Sequence, residues 1–210
     1  MRTASAFDFF TIGHSNIPIE RFVALLQQAG VSALADVRSV PLSRRSPWFS
    51  KNNLAKNLAR EGIDYAAMGD VFGGRPRDER LYRDGVADYE AMAKEPQYRD
   101  ALTRLMTAMG CPRVCLMCAE REPLDCHRCL LVARSLGEHG LAIGHILYDG
   151  AIEPHADTER RLVALAGEGC DLFAHGQRDR LAAAYRRQAH AVAYRRKEND
   201  PMKAAAVERR

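Results

Sequence analysis

Phe7-Asp-Phe-Phe-Thr-Ile12, Gly13-His-Ser-Asn16 and Pro18-Ile-Glu-Arg-Phe-Val-Ala-Leu-Leu26 follow one another near the start of the chain. The first run is apolar, aromatic and β-branched, the pattern of a buried strand. The second is a polar loop. In the third, Pro18 opens a stretch with Ile19, Phe22, Val23 and Leu26 at helical spacing, and Gly30 closes it. Strand, loop and helix in this order make the first half of a βαβ unit.

The same alternation continues outward. Val31–Val37 reads as a second strand ending in Asp36 and Arg38, and a loop over Ser39–Ser50 carries Pro41, Arg44, Arg45, Pro47 and Trp48. A helix is expected over Lys51–Arg60 with Ser50 as its cap, then a short strand over Ile63–Met68. The connection from Gly73 to about Asp88 is long enough to be a lid or a locally ordered insertion. Further on, a helix over Gln97–Met109 leads to a strand over Arg113–Cys118. A helix from Cys126 to about Leu136 and a strand over Leu141–Tyr148 come next, and helices near Asp157–Ala166 and Arg178–Lys197 finish the chain. Strands separated by helices of about ten residues imply right-handed crossovers. The fold class expected is α/β, three-layer, a mostly parallel sheet with helices on both faces.

With 210 residues, 47% of them hydrophobic, the chain suits one medium-sized domain with a substantial core. Its formal net charge of +4 is uneven: Arg178–Arg210 holds ten Lys/Arg against four Asp/Glu. The expected division is an α/β domain over 1–175 and a basic C-terminal helix and tail over 176–210. Residues Met1–Phe10 do not read as an export signal and nothing reads as a membrane span, so a cytoplasmic location without membrane partners is expected. Five of the six cysteines fall between Cys111 and Cys129, which favours reduced thiols or a metal site over a disulfide scaffold.

Ligands of open parallel sheets bind beyond the carboxyl ends of the strands. Three polar clusters follow strands here: His14, Ser15 and Asn16; Asp36 and Arg38; Cys118 and Glu120. The βαβ reading gathers them at one rim, although polar strand ends are also what loops ordinarily supply. Within Cys118-Ala-Glu-Arg-Glu-Pro-Leu-Asp-Cys126-His-Arg128, Asp125 reads as an N-cap that places Cys126, His127 and Arg128 in a first helical turn. Helix-terminal amides and Arg128 favour a thiolate or a bound anion there. Cys126 is then a nucleophile, a redox thiol, the lining of an anion pocket or simply a small buried hydrophobe.

Cys115-x-x-Cys118 and Cys126-x-x-Cys129 also offer four thiolates suited to zinc or an iron–sulfur cluster. Strand alternation opposes this by pointing Cys115 and Cys118 to opposite faces. Of the arginines that could clamp a phosphate or carboxylate, Arg38, Arg44 and Arg75, Arg38 is favoured. Gly73 and Gly74 permit a close backbone approach, and Arg186, Arg187, Arg195, Arg196 and Lys197 could contact nucleic-acid phosphates or form a solvated helix.

Thr11-Ile-Gly-His-Ser15, Asp36-Val-Arg38 with Pro41 and Ser43, Gly62-Ile-Asp-Tyr65, Gly73-Gly74 and Cys118-Ala-Glu120 with Cys126-His-Arg128 together resemble, in order, the motif series of the DUF488 family. The resemblance spans roughly residues 9 to 150 and implies an α/β fold with a shared site built from those residues. It implies no substrate, and its pattern holds the positions of Cys118 and Cys126 but not those of Cys115 and Cys129.

Three functional readings follow. The leading one is an enzyme acting on a small anionic or nucleotide-like substrate: Cys118 or Cys126 is the reactive thiol and His14, Asp36 or Glu120 moves protons. Ser15, Asp36, Arg38, Gly73, Gly74 and Arg128 bind the substrate. The second is a nucleic-acid-binding accessory protein that uses the basic C-terminal helix. The third is a metal-binding or redox-sensing module in which Cys118 and Cys126, with His14 or His127, hold zinc or iron.

Overall fold

The computed structural model describes residues 6–107, 113–167 and 176–196. Cys111, Cys170 and the basic tail from Lys197 to Arg210 lie outside the described residues.

Six strands form one sheet: β1 (Phe9–Gly13), β2 (Ala33–Asp36), β3 (Asp64–Ala67), β6 (Val114–Cys118), β7 (Ile143–Ile146) and β8 (Ile152–Pro154). Their spatial order is β3-β2-β6-β1-β7-β8. All neighbours run parallel except β8, which turns back antiparallel on β7. The chain thus builds β1, β2 and β3 outward, returns to insert β6 between β2 and β1, and continues on the far side with β7. That reversal makes β2-β6-β1 the place where a crevice opens beyond the strand ends. Register aligns the three ends, with Gly13 beside Cys118 and Asp36 beside Met117.

Strand alternation divides the core into two layers. Phe10, Ile12, Leu34, Cys115 and Met117 pack with the helices α1 (Ile19–Gln28) and α2 (Lys51–Arg60). Phe9, Leu116 and Cys118 face the other side, which is covered by α5 (Pro96–Thr107), α7 (His155–Ala166) and α8 (Gln177–Val192). Helices therefore cover both faces of a mostly parallel sheet. Tyr185 of α8 is 2% exposed and belongs to this second layer.

The long connection after β3 is locally ordered. It holds α3 (Gly69–Phe72), a two-stranded hairpin of β4 (Tyr82–Arg83) and β5 (Val86–Ala87), and α4 (Tyr89–Met92). Asp84 and Gly85, both at positive φ, form its turn. Among the described residues no helix is long and apolar enough to cross a membrane.

Two local expectations need correction. Ser50 precedes α2 with extended backbone, but its hydroxyl accepts from Ser43 N–H instead of capping the helix. The segment after β6 is also not one helix capped by Asp125. Pro123–Asp125 is a 3₁₀ turn whose cap is Glu122, Cys126 is extended, and Arg128–Ala133 winds as a π-helix before α6 (Arg134–Glu138). Pro123 starts its own short turn, so the chain must re-extend at Cys126 before helical winding resumes.

Candidate functional site

Cys118 ends β6, and Ala119 and Glu120 carry the chain over the sheet edge. There the amides of His14 and Ser15 donate to the carbonyls of Cys118 and Ala119 at 2.9 and 2.8 Å. Gly13 lets the loops close together, because a Cβ at this position would run into the Glu120 carbonyl. Cys126 then brings its sulfur back beside Cys118. Its carbonyl accepts from Cys129 and Leu130 N–H, both at 3.0 Å, and its Sγ accepts from Arg128 N–H at 3.4 Å.

One cluster results. Glu120 Oε2 lies 2.9 Å from Cys118 Sγ and 3.1 Å from Cys126 Sγ. His127 Nδ1 lies 3.7 Å from Cys118 Sγ and 3.9 Å from Cys126 Sγ. The other ring nitrogen, Nε2, sits 2.9 Å from the Val37 carbonyl, which can only accept, so the proton resides there. Both cysteines and His127 are buried, while Glu120 is exposed as a residue but turns its carboxylate in against the buried sulfurs. The four face a cavity of about 220 Å³ whose walls include Ser39, Gly74, Arg75, Tyr89, Val192 and Tyr194.

Charge in the cluster is uneven. Burial pushes Cys118 well above the ordinary thiol range, and neighbouring Cys126 and Glu120 add to it. Burial alone would raise Cys126 too, but the Cys118 hydrogen bond and the charges of Arg128 and His127 hold it well below that range. Burial lowers His127, yet Cys126, the Val37 carbonyl and Glu120 together outweigh it and leave the imidazole raised. Glu120 is raised by burial and by Cys126. Arg128, 1% exposed, gives Nη1 to the Glu120 carbonyl at 2.6 Å and Nη2 to the Arg121 carbonyl at 3.0 Å, and its Nε has no partner. Carbonyls do not neutralise a buried guanidinium, so the sulfur atoms beside it are its counter-charge.

The remaining expected residues form a second layer at the same rim. Arg38 is 5% exposed and its guanidinium is occupied within the protein. Nε and Nη2 hold the two Asp36 oxygens at 2.9 and 2.6 Å, Nη2 also reaches the Phe49 carbonyl at 2.8 Å, and Nη1 lies 3.1 Å from His14 Nε2. Asp36 accepts from Tyr65 OH at 2.7 Å as well. His14 has both ring nitrogens engaged, with Nδ1 2.6 Å from the Ser15 carbonyl, and stacks on Phe49. Its pKa falls to about 4 through burial and the charge of Arg38. The histidine beside the thiols is therefore His127. Ser15 is partly buried at a φ of 45°, and its hydroxyl donates to Asn16.

Gly73 packs against Gly69 and Ser39, while a Cβ on Gly74 would stand 2.8 Å from the His127 ring. The four-thiolate arrangement does not assemble. Cys115 lies in the α1/α2 layer and Cys129 turns toward His145. The expected helix over Arg178–Lys197 ends at Val192, after which the chain pairs with the hairpin; Arg186 pairs with Glu90, Arg187 donates to the Ala166 carbonyl, and Arg196, past the helix, pairs with Glu79.

A second cluster escaped the sequence reading. Cys129 Sγ, His145 Nε2 and His155 Nδ1 come together in the core, with 4.0 Å from sulfur to His145 and 2.9 Å between the histidines. Thr11 Oγ1 meets His145 Nδ1 at 2.7 Å, and Tyr185 OH lies 3.0 Å from His155 Nε2 and donates to Glu159 at 2.9 Å. The available signal was a lone histidine inside the apolar strand Ile143-Gly-His-Ile146. Both clusters have donor sets that can hold a metal ion.

No curated protein and no solved structure matches the chain. The family model described as "Domain of unknown function DUF488" matches residues 18–135, a span that contains Asp36, Arg38, Gly73, Gly74, Cys118, Glu120 and Cys126–Arg128 but begins after His14 and ends before His145. A match over more than half of the chain, centred on the rim residues just described, makes this protein a member of the DUF488 family.

Proposed function

We propose that this chain is a metal-dependent enzyme in which Cys118, Cys126 and His127 hold zinc or iron and Glu120 handles protons for a small anionic group bound in the adjoining cavity. The observation that carries this reading is the His127 ring: its N–H is committed to the Val37 carbonyl and its other nitrogen faces both sulfurs. Ligating histidines are ordinarily oriented in this way.

Bond lengths of about 2.3 Å to sulfur and 2.0–2.1 Å to nitrogen put the S···N edge of a tetrahedral site at about 3.6 Å. The separations of 3.7 and 3.9 Å are close to that edge. Glu120, at 2.9 and 3.1 Å from the sulfurs, is nearer than a ligand edge and sits at hydrogen-bonding distance on the cavity side. Two thiolates neutralise a divalent ion. An ion with three protein ligands and an open position supplies an acidified water or a polarised substrate oxygen. Glu120 would take the proton and Arg75 would attract the anion at the cavity wall.

The test is elemental analysis of untagged full-length protein beside Cys118→Ser/Cys126→Ser. About one zinc or iron per chain in the first and almost none in the second is expected. Metal-free wild type would end the metal reading. It would favour a second one, which rests on Cys126 accepting the Arg128 amide: a thiolate nucleophile with Cys118 as its resolving partner. Selective alkylation of Cys126 near neutral pH would then distinguish it from an inert core cysteine.

A further inference from the structure

We propose that the loop after β2 and the exposed face of α2 form a platform for single-stranded nucleic acid, and that the group entering the cavity is carried on such a strand. This names a substrate class for the site proposed above. Its observations do not involve the cysteines.

From Arg38 to Arg60 the chain holds six Lys/Arg and no Asp or Glu. Arg38 is consumed by Asp36. The other five, Arg44, Arg45, Lys51, Lys56 and Arg60, are exposed, and among the described residues none has an ion-pair partner. Elsewhere among the described residues eight arginines pair with carboxylates and others, such as Arg99 and Arg104, do not; this stretch differs in holding no acidic residue at all. Uncompensated cations concentrated in one exposed segment are the electrostatic footprint of a polyanion.

The same loop carries Val40, Leu42 and Trp48, exposed by 48, 61 and 36%, which are three of the six large hydrophobic side chains exposed among the described residues. Trp48 is held in place by its indole N–H on the Ile17 carbonyl at 3.2 Å. Ser43 and Ser46 amides donate to Ser50 and Ser43 hydroxyls, and Lys51 N–H donates to the Pro41 carbonyl at 2.9 Å. A fixed indole face among cations suits base stacking with phosphate contacts, the combination that binds single strands with little sequence preference.

Position links this platform to the chemistry. Ser39 and Val40, the first residues of the loop, belong to the cavity wall. At about 220 Å³ the cavity is smaller than an ordinary ligand pocket, typically about 300–1,000 Å³, and admits one small group while the rest of its carrier stays outside. An anionic membrane fits less well, because α2 exposes Lys51, Asn52, Asn53, Lys56 and Arg60 with no apolar stripe to immerse.

Trp48 is the single tryptophan of the chain, so its emission reports the platform directly. Full-length protein is titrated with an oligouridylate of about twelve nucleotides, a length within the usual single-strand site sizes. Quenching is expected, with affinity falling as salt rises at a log–log slope of about −3. Arg44→Ala/Arg45→Ala should flatten that slope by roughly 1.4 units. Trp48→Ala, followed by anisotropy of a labelled strand, should weaken binding roughly tenfold, and Trp48→Phe much less. Arg44→Ala/Arg45→Ala should keep the wild-type metal content, so the platform and the metal reading can fail separately. Absence of binding at low salt, an unchanged slope in the arginine variant, or binding to phosphatidylserine vesicles but not to the strand would overturn the proposal.

Discussion

Arg38 closes on Asp36, two residues before it, through Nε to Oδ1 at 2.9 Å and Nη2 to Oδ2 at 2.6 Å, and neither side chain is more than 5% exposed. Removing one partner strands a buried charge, which costs about 3–5 kcal/mol. Asp36→Asn should therefore lower the urea midpoint far more than any surface substitution, and Tyr65 loses a charged acceptor at the same time. A midpoint within experimental error of wild type would show that the pair carries little of the fold.

Acid should weaken the fold between about pH 6.5 and 4. His14 and His155 are both held down to about 4, the first by burial and Arg38, the second by burial alone. The unfolded chain, with ordinary histidines, takes up protons first, so stability is full above about pH 6.5 and declines until the folded values are reached. Each histidine contributes on the order of 3 kcal/mol to that decline. Denaturant unfolding across the range, with His14→Gln and His155→Gln for comparison, should give shallower slopes in the variants. Flat wild-type stability would contradict the assignment.

Gly74→Ala should disturb the site while sparing the fold. The added methyl meets the His127 ring at 2.8–3.0 Å, and the imidazole must tilt away from the sulfurs or from Val37. Reduced metal content at unchanged secondary structure is the expected outcome, by elemental analysis and circular dichroism. Full metal content would mean that the ring is not a ligand.

Tyr185→Phe removes the hydroxyl that joins His155 to Glu159 and leaves the buried His155 Nε2 only a 3.6 Å approach to the Glu159 carboxylate. A loss of about 1–3 kcal/mol is expected. Thermal unfolding measures it, and an unchanged transition would show that this hydroxyl does not help to hold α8 in place.

The strands and helices were legible because their apolar periods are long and uninterrupted, and the convergence at one rim followed from βαβ geometry. Alternation also separated Cys115 from Cys118. What could not be read was local rewinding. Pro123 and Asp125 look like a helix start, but Glu122 accepts the Leu124 amide and takes over the cap, which leaves Cys126 extended. Nor does spacing reveal that His127 is steered by the Val37 carbonyl, or that residues 129, 145 and 155 meet in the core. Those relations depend on which helix lies over which strand.

Val192 and Tyr194, which wall the cavity, lie close to the end of the described chain, roughly seventy residues after Cys126. On a ribosome adding about 5–20 residues per second, both sulfurs emerge several seconds before that wall exists. During synthesis the two thiols therefore exist for an interval without the wall that encloses them in the finished fold.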